Sequence, residues 1–507
     1  MGSVAFRQIT IVHAVILGFA IRALLFLLFP TVYYPDEIFQ VIEPAHRLVH
    51  GEGYRSWEYF VGLRSWLFPG IVAGLLKAGS LISSDPWVAL LPMRGFMIAA
   101  STIPIVCACL WGRNLADNKA GLLLAFCVAI SADLVYMAPH SFSEAMAANI
   151  LVLALYLGYP DKAETRMSRL FVAGLFFGIA FILRIHLGPA IALACAMICA
   201  RFWRRWLVMG VGALLVVLLS GGLDWLTFGR PFHSIFVNVY LNINAGISGE
   251  LGSKSPLYLF GMTLSQWSYA SVVLLPLIYL GARRLPILAV VAGAIFLTHM
   301  AVGHKEWRFV FPAFPLLMVL AGLGLVRVAA ILAERMKGEP SGYYAPLLIL
   351  FALVQAAVAT SPAYGQLWHY GREQFAAYDF ASSKIRICGL GLIDFNWHDT
   401  LGTAYLPRGA GLYQSSIEGV GREAPAFNVL ITGSPSRFHG AGFERRACFD
   451  DHGRQGPPEK TLICVWTRPG TCQPDRGLQP VNWPNFFRKA DGSLDRRKIE
   501  RFTVQRR

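Results

Sequence analysis

Charged side chains are scarce in this chain of 507 residues, and acidic ones are the scarcest. Asp, Glu, Lys and Arg together make up 15% of the sequence, whereas 55% is hydrophobic and the mean hydropathy is +0.50. One water-facing core cannot bury so large an apolar share, which excludes an ordinary soluble protein. The charges stand between long apolar runs, as in a chain that uses the bilayer as its solvent.

Several motifs of soluble enzymes are also missing. The chain contains no P-loop, no glycine-rich dinucleotide fingerprint, no HExxH motif and no internal repeat, and its nine cysteines show no zinc-site spacing. The sequence therefore predicts no cofactor and no metal site. Four cysteines lie in the polar C-terminal part, where a disulfide can form if that part faces an oxidising compartment. They are Cys388, Cys448, Cys464 and Cys472.

The formal net charge of +15 raises the question of a nucleic-acid partner. The basic residues, however, form short clusters at the ends of apolar segments, where they orient a membrane protein. The predicted surroundings are membrane lipids, and nucleic acid is not a predicted partner.

Eleven apolar runs are long enough to cross about 30 Å of hydrocarbon. They cover residues 11–30, 88–110, 120–137, 142–160, 169–185, 187–200, 207–226, 257–281, 285–302, 309–331 and 344–361. With the N-terminus inside, every alternate connection is basic, as the positive-inside rule asks. Lys162, for example, belongs to one of these inside connections. The stretch 66–83 is predicted to lie in the interface as an amphipathic or re-entrant helix, because a crossing there would reverse the parity.

The predicted fold is an α-helical polytopic membrane protein of about eleven transmembrane helices with a small mixed α/β C-terminal extramembrane domain. Residues 1–362 form the membrane part, with a first outer loop at 31–87, and residues 363–507 form the α/β domain. Strand-like runs occur at 385–393, 428–432 and 461–466. The basic tail of this domain either contacts anionic headgroups or stays solvated. Its basic residues are Arg488, Lys489, Arg496, Arg497, Lys498, Arg501, Arg506 and Arg507.

The first outer loop opens with two adjacent carboxylates, Asp36 and Glu37, among aromatic residues. Two explanations are open at this point. The carboxylates can stabilise the start of a helix. Alternatively, one of them can act as a general base against a bound hydroxyl, between aromatic walls that suit the face of a sugar.

A second polar cluster occupies a short outer loop at 303–309. Four ionisable groups stand there within five positions, which is costly at a membrane unless they are solvated or paired with a ligand. Lys305 and Arg308 supply donors for a phosphate, and His304 can assist them. Arg184 and Arg94, at the ends of other apolar runs, are further candidates for the same anion. In the 227–256 loop, amides such as Asn242 suit sugar hydroxyls or simply structure the connection.

The first loop from Tyr34 resembles the signature loop of the lipid-phosphate-mannose-dependent mannosyltransferases of the C-type glycosyltransferase superfamily. These enzymes extend N-glycan precursors and glycosylphosphatidylinositol anchors. The second family hallmark, His-Lys-Glu-x-Arg-Phe, matches in full at 304–309. The family's Arg-Pro-Thr motif is only partly kept, at 184–186. The matching first-loop positions are Pro35, Asp36, Glu37, Gln40, Glu43, Trp57, Glu58, Arg64 and Ser65, while Tyr34 replaces the usual His.

This resemblance implies inverting transfer of mannose from a polyprenyl- or dolichyl-phosphate carrier to a hydroxyl of a glycolipid or glycan acceptor. Since the lipid phosphate is already a good leaving group, one carboxylate is enough. The implied roles are Asp36 as base with Glu37 orienting; His304, Lys305, Arg308, Arg184 and Arg94 on the donor phosphate; and Gln40, Glu43, Trp57, Glu58 and Asn242 on the acceptor sugar.

Two alternatives stay open. One is the same class of enzyme with another sugar, such as a pentose. The other is a transporter of lipid-linked sugars, although the inverted repeats typical of transporters are missing. None of the asparagines begins an Asn-x-Ser/Thr sequon, which favours a bacterial inner-membrane protein with a periplasmic site. In a eukaryotic cell the expected location is the endoplasmic reticulum, with a lumenal site.

Overall fold

The computed structural model describes residues 10–160, 165–250, 252–394, 399–433, 438, 442–479 and 483–503. Lys162 of the predicted inside connections, and Arg506 and Arg507 of the predicted basic tail, lie outside these residues. The chain groups into two compact units. The first comprises Met1–Leu24, Phe96–Pro139 and Ser143–Gly365, and the second comprises Leu25–Gly95, His140–Phe142 and Gln366–Arg507. The predicted domain boundary at residue 362 stays a prediction.

Apolar helices make up most of the described chain. Those of at least 18 residues that are apolar enough to cross a membrane are Ile11–Leu28, Pro86–Leu115, Trp203–Phe228, Tyr258–Ala282, Trp307–Met336 and Pro340–Ala359. The shorter apolar helices are Leu67–Ile82, Asn118–Ile130, Ser143–Gly158, Met167–Leu183, Ile185–Cys199 and Pro286–Met300. Each of the eleven predicted spans falls on one or more of these helices. The chain is therefore a helical, multi-pass membrane protein, and the number of crossings stays a prediction.

Shorter helices connect or follow the apolar ones. Their bounds are Pro35–Glu37, Glu43–His50, Trp57–Val61, Ala132–Met137, His233–Val239, Ile247–Glu250, Pro362–Leu367, Arg372–Lys384, Val420–Glu423 and Arg496–Phe502. The stretch predicted to lie in the interface forms the single helix Leu67–Ile82, and its last two residues, Leu81 and Ile82, are exposed.

A buried arginine fixes the first helix within the first unit. The Arg22 guanidinium is fully buried and donates to the carbonyl oxygens of Gly18 at 2.8 Å, Ala129 at 2.9 Å and Val128 at 3.4 Å. Val128 and Ala129 lie in the last turn of helix Asn118–Ile130, where carbonyl groups lack helical partners. The cation satisfies these carbonyls and suits the negative end of the helix dipole.

The second unit contains a five-stranded mixed sheet. Its strands are β1 (Gly389–Ile393), β2 (Gly411–Gln414), β3 (Val429–Thr432), β4 (Glu444–Phe449) and β5 (Ile463–Thr467), in the order β2-β1-β3-β5-β4. β1 runs parallel to β2 and β3, while β5 is antiparallel to β3 and β4. The helix Arg372–Lys384 contacts β4 and β5. The predicted mixed α/β character is confirmed, and β2 and β4 are strands that the sequence pattern did not indicate.

Two disulfides brace this sheet. One joins Cys388 to Cys472, and the other joins Cys448 to Cys464, which stand directly opposite each other on β4 and β5. The four cysteines of the polar C-terminal part are therefore all paired. The remaining five have free thiols and lie in apolar helices; they are Cys107, Cys109, Cys127, Cys195 and Cys199.

We expect protein isolated in the presence of an alkylating reagent to show both C-terminal disulfides by peptide mass spectrometry. Replacing Cys448 and Cys464 together by Ser should lower the free energy of unfolding of the sheet domain by about 2–4 kcal/mol, because a cross-link restricts the unfolded chain. Cys195→Ser, which removes a free thiol, is the control and should leave that stability unchanged. Alkylated Cys448 and Cys464 in freshly isolated membranes would contradict the pairing.

Candidate active site

The first outer loop begins with an unusual helical segment. Pro35 opens the short helix Pro35–Glu37, which continues through a π-helical turn at Ile38–Ile42 into the helix Glu43–His50. Proline suits the first turn because its missing N–H has no helical partner there. The capping residue is Tyr34, which makes no side-chain capping bond, so neither Asp36 nor Glu37 is the cap. Both lie in the first turn, where the helix dipole favours negative charge.

Glu37 lies fully buried in the second unit between two polar partners. One of its oxygens accepts a hydrogen bond from Arg94 at 3.0 Å, and the other lies 2.6 Å from Nδ1 of His140. Arg94 also donates to the hydroxyl of Tyr405 at 2.8 Å. Burial alone would raise the pKa of Glu37, but the charges of His140 and Arg94, with their hydrogen bonds, outweigh burial and lower it. Glu37 is therefore an ionised carboxylate with both oxygens engaged.

Asp36, the adjacent carboxylate, is only half-buried. The pKa of the nearby Glu58 is raised, first because Glu58 is buried and second because the negative charge of Asp36 is close to it. The side chain of Gln40 donates from Nε2 to Glu58 at 3.1 Å, and the backbone carbonyl of Gln40 accepts from the Tyr59 hydroxyl at 2.6 Å. Gln40, Glu58 and Asp36, three of the predicted site residues, therefore lie close together in the structure.

Glu43 is fully buried and held by backbone groups from two segments. Its carboxylate accepts from the amides of Tyr54 at 2.8 Å and Ala404 at 2.7 Å, and from both the amide and the hydroxyl of Thr403. Gly402 has φ +70°, and its backbone passes so close to Glu43 that a Cβ there would overlap the carboxylate. Glu43 therefore joins the first loop to the 402–404 segment, and its predicted contact with an acceptor stays a prediction.

Three of the predicted phosphate-binding residues of the first unit, His304, Arg308 and Arg184, contact the carboxylates of Glu144 and Glu306. Arg184 and Arg308 both lie 3.3 Å from the same oxygen of the buried Glu144. Arg308 also pairs with Glu306 at 2.5 Å, and Nε2 of His304 lies 2.7 Å from the other Glu306 oxygen. Glu144 was not among the predicted site residues; a single acidic residue at the start of an apolar helix was its only sequence signal.

The electrostatics of this group follow from its burial. Burial alone would raise the pKa of Glu306, but the charge of Arg308 and hydrogen bonds from His304 and Arg308 lower it to about 2. The ring of Phe309 lies beneath both guanidinium groups, 5.4 Å from that of Arg184 and 5.1 Å from that of Arg308. Two arginines are thus held in fixed positions by carboxylates and an aromatic face.

Lys305 and Asn242, also in the first unit, have different surroundings. The buried Lys305 amine donates to the carbonyl oxygens of Lys254 at 3.1 Å, Gly303 at 3.5 Å and Val302. Asn242 donates to the carbonyl of Asn238 at 3.0 Å, one helical turn earlier. Asn242 belongs to the first unit, whereas the other predicted acceptor contacts belong to the second.

Trp57, the last predicted acceptor contact, lies on the short helix Trp57–Val61. Unlike Glu58 and Tyr59, which are buried, it is half-exposed, and it lines a cavity of about 370 Å³. Among the described residues, one group of acidic and histidine side chains lies close enough together to hold a metal ion: Asp450, Asp451 and His452, none of which is a predicted site residue.

A family described as the Alg9-like mannosyltransferase family matches residues 14–383. GPI mannosyltransferase 3 of Yarrowia lipolytica is 29% identical over 303 residues, which are 57% of this chain and 58% of the relative. Human GPI alpha-1,2-mannosyltransferase 3 is 23% identical over 353 residues, which are 62% of this chain and 58% of the human protein. The chain thus spans less than two-thirds of the length of these relatives.

Among solved structures, ArnT from Cupriavidus metallidurans bound to undecaprenyl phosphate superimposes with a TM-score of 0.58 at 12% identity. The match covers 92% of this chain and 98% of that one. At this level of identity the likeness concerns the fold, and it confirms the predicted C-type glycosyltransferase architecture.

The Glu37–Arg94 contact leads to a prediction about stability. Replacing Glu37 by Gln leaves the Arg94 guanidinium buried without its ionised partner, so we expect a loss of about 3–5 kcal/mol in the free energy of unfolding. The double variant Glu37→Gln, Arg94→Met should recover part of this loss, because it removes the uncompensated charge. Thermal unfolding in detergent of the parent protein, both single variants and the double variant measures the coupling.

Glu334→Gln is the matched control, since the exposed Glu334 lies 3.9 Å from Arg327 and such pairs contribute about 0–1 kcal/mol. The pKa of Glu37 is lower in the folded than in the unfolded chain, so ionised Glu37 stabilises the fold at pH values above its pKa in the unfolded chain. This stabilisation is lost as the pH falls through the pKa of Glu37 in the folded chain. The free energies of unfolding of the parent and of Glu37→Gln should therefore converge on acidification. Equal stability of the two at neutral pH would refute the assignment.

Proposed function

This chain belongs to the Alg9-like mannosyltransferase family, and we propose that it transfers mannose from a polyprenyl-phosphate carrier to a hydroxyl of a glycolipid or glycan acceptor. The observation that carries the proposal is the family match over residues 14–383, which includes both the Asp36–Glu37 loop and the 304–309 motif. The fold likeness to a protein solved with undecaprenyl phosphate supports a lipid-phosphate donor.

The two adjacent carboxylates have different proposed roles. Glu37 is fully buried and engaged by Arg94 and His140, so it cannot meet an acceptor without breaking a buried ion pair. Asp36 is half-buried on the next residue, and we assign it as the general base. Glu37 is then a positioning residue. Arg94 was predicted to hold the donor phosphate, and we assign it instead to positioning, because it contacts Glu37 on one side and the Tyr405 hydroxyl on the other.

The proposed reaction is a single displacement. The acceptor oxygen attacks C1 of the mannosyl phosphate, the bond from C1 to the phosphate oxygen breaks, and the hydroxyl proton passes to Asp36. The electron pair of the broken bond leaves with the lipid phosphate, and the configuration at C1 inverts. Accepting the proton as the new bond forms contributes roughly 10²–10⁴-fold to the rate. The phosphate leaves without protonation, so a second carboxyl acting as an acid is unnecessary.

Arginines of the first unit are the proposed holders of the donor phosphate. Arg184 and Arg308 contact the same oxygen of Glu144, and Arg308 also pairs with Glu306, so the two guanidinium groups are fixed close together and can both donate to one phosphate. Fixed cations stabilise the charge that grows on a leaving phosphate and need little reorganisation as it forms. His304 and Lys305 are proposed for the same anion; His304 also pairs with Glu306, and Lys305 also donates to three carbonyl groups.

We propose that the site faces an oxidising compartment. Within the second unit, Glu43 joins the first loop to the 402–404 segment, so the loop and the disulfide-bonded sheet domain share one side of the membrane. Structural disulfides persist in the periplasm and in the lumen of the endoplasmic reticulum. A bacterial inner membrane with a periplasmic site is the proposed location, and a lumenal site is the eukaryotic equivalent.

Asp36→Asn should abolish transfer of labelled mannose from polyprenyl-phosphate-mannose to a membrane glycolipid extract. We expect a rate loss of about 10²-fold or more, with unchanged expression and thermal stability. Asp85→Asn is a matched control in the same loop, because Asp85 accepts amide hydrogen bonds at a helix start and Asn caps equally well. Full activity of Asp36→Asn would remove Asp36 as the base, and transfer that required a nucleotide sugar would remove the lipid donor.

Arg184→Gln should raise the KM for the donor by about tenfold or more, the loss expected for a charge-assisted hydrogen bond. The fold should persist, because Glu144 keeps Arg308 at 3.3 Å. Steady-state kinetics with varied donor measure the effect, and Arg327→Gln, which removes an exposed cation, is the control. An unchanged donor KM in a folded Arg184→Gln protein would show that Arg184 does not hold the phosphate.

A further inference from the structure

The cavity of about 370 Å³ beside Trp57 has no part in the reaction described above. It lies in the second unit, between the first loop and the C-terminal domain. One wall comes from residues 46–60, and the other comes from residues 403–413 together with Pro474, Gln479 and Trp483. The family match ends at residue 383, so the second wall belongs to a part of the chain that the match does not include.

The aromatic side chains of Trp57, Phe60 and Trp483 line this cavity, and aromatic contacts join its two walls. Phe60 of the first loop lies 5.7 Å from Trp483 of the C-terminal domain, and Trp57 lies 5.8 Å from Phe487. The side chains of Trp57 and Trp483 are half-exposed, and that of Phe60 is exposed. Planar rings that stay accessible in a cavity can pack against the C–H face of a sugar ring, which is apolar although its edge is polar.

The charge of the cavity is positive. Arg47 and Arg55 line it, and neither forms an ion pair with any described residue. Arg47 donates to the carbonyl of Gly53 at 2.9 Å, and Arg55 donates to that of Tyr59 at 2.7 Å. Burial first, and then the charge of Arg47, lower the pKa of Arg55, and the Arg55 guanidinium lies 4.2 Å from the ring centre of Phe60. Glu52 is the single acidic residue of the lining, and it accepts from the amide of Gly409.

The cavity is connected to the proposed base through one short helix. On helix Trp57–Val61, Trp57 and Phe60 are three residues apart and both line the cavity. Glu58 and Tyr59 of the same helix are buried and bond Gln40, in the group beside Asp36. A ligand in the cavity therefore packs against the same helix that supports the surroundings of Asp36.

We propose that this cavity binds an anionic saccharide, the glycan part of the acceptor, and that the C-terminal domain thereby selects the acceptor. The aromatic rings take the sugar face, and the guanidinium groups of Arg47 and Arg55 take a phosphate or carboxylate substituent. The identification of the ligand as the acceptor rests on the proposed function. The inference that the cavity binds an anionic sugar does not rest on it.

Binding is tested first, without turnover, in the purified full-length Asp36→Asn protein. Mannose 6-phosphate is the probe, and saturation-transfer NMR and calorimetry are the readouts. We expect mannose and inorganic phosphate each to bind about tenfold or more weakly than the probe, since each lacks one half of the recognition. Absence of probe binding, or equally tight binding of inorganic phosphate, would overturn the inference.

Variants then locate the bound probe. Arg47→Gln and Trp57→Leu should each weaken its binding by about tenfold. The matched controls Arg327→Gln and Trp203→Leu change exposed residues of the first unit and should leave binding unchanged. Equal effects of the cavity variants and the controls would place the probe elsewhere and overturn the inference.

The transfer assay separates this inference from the proposed function. In Arg47→Gln and Trp57→Leu the KM for the acceptor should rise about tenfold, while the KM for the donor should not. Transfer with an unchanged acceptor KM in both variants would overturn the inference and leave the proposed function standing. If the parent protein transfers no mannose, the proposed function fails, and the binding measurements still decide whether the cavity takes an anionic sugar.

Discussion

The buried contact of Glu37 with Arg94 is the interaction on which the first loop depends. A carboxylate removed from water costs several kcal/mol unless its charge is compensated, and Glu37 is compensated on both oxygens. Arg94 extends the contact to Tyr405, more than three hundred residues along the chain. Glu43 adds a second connection to the same C-terminal segment through Thr403 and Ala404. The loop is consequently held in one conformation by charges that are expensive to separate.

This arrangement is consistent with different roles for the two adjacent carboxylates in the proposed reaction. Glu37 supplies rigidity because both of its oxygens are occupied, whereas Asp36, one residue earlier, keeps part of its surface accessible. A base fixed before the substrate arrives needs little reorganisation during the reaction. In the proposed reaction the leaving group is already a phosphate, so the protein has to accept one proton and to stabilise the charge that grows on that phosphate.

Much of the fold could be predicted from the sequence, because apolar runs and basic connections are local signals. The two hallmark motifs were also local, and they indicated Asp36 and the 304–309 loop. The partners of these residues were not predictable, because they come from distant parts of the chain. Glu37 meets Arg94 after 57 residues and His140 after 103, and nothing in the local sequence distinguishes Glu37 from Asp36.

Other features escaped prediction for the same reason. Four cysteines allow three pairings, and only the register of β4 on β5 brings Cys448 opposite Cys464. Glu43 is predicted to contact a sugar, and its hydrogen bonds from the amides of Tyr54 and Ala404 become visible only in the fold. The cavity beside Trp57 is built from segments more than three hundred residues apart.

Chemical rescue tests the division of labour between the two carboxylates most directly. Asp36→Ala removes the proposed base and leaves space for a small carboxylate, so added formate should restore a measurable rate of mannose transfer to this variant. Glu37→Ala removes a positioning residue, and formate should not restore its rate. Rescue of Glu37→Ala but not of Asp36→Ala, or a full rate in Asp36→Ala without formate, would contradict the assignment of Asp36 as the base.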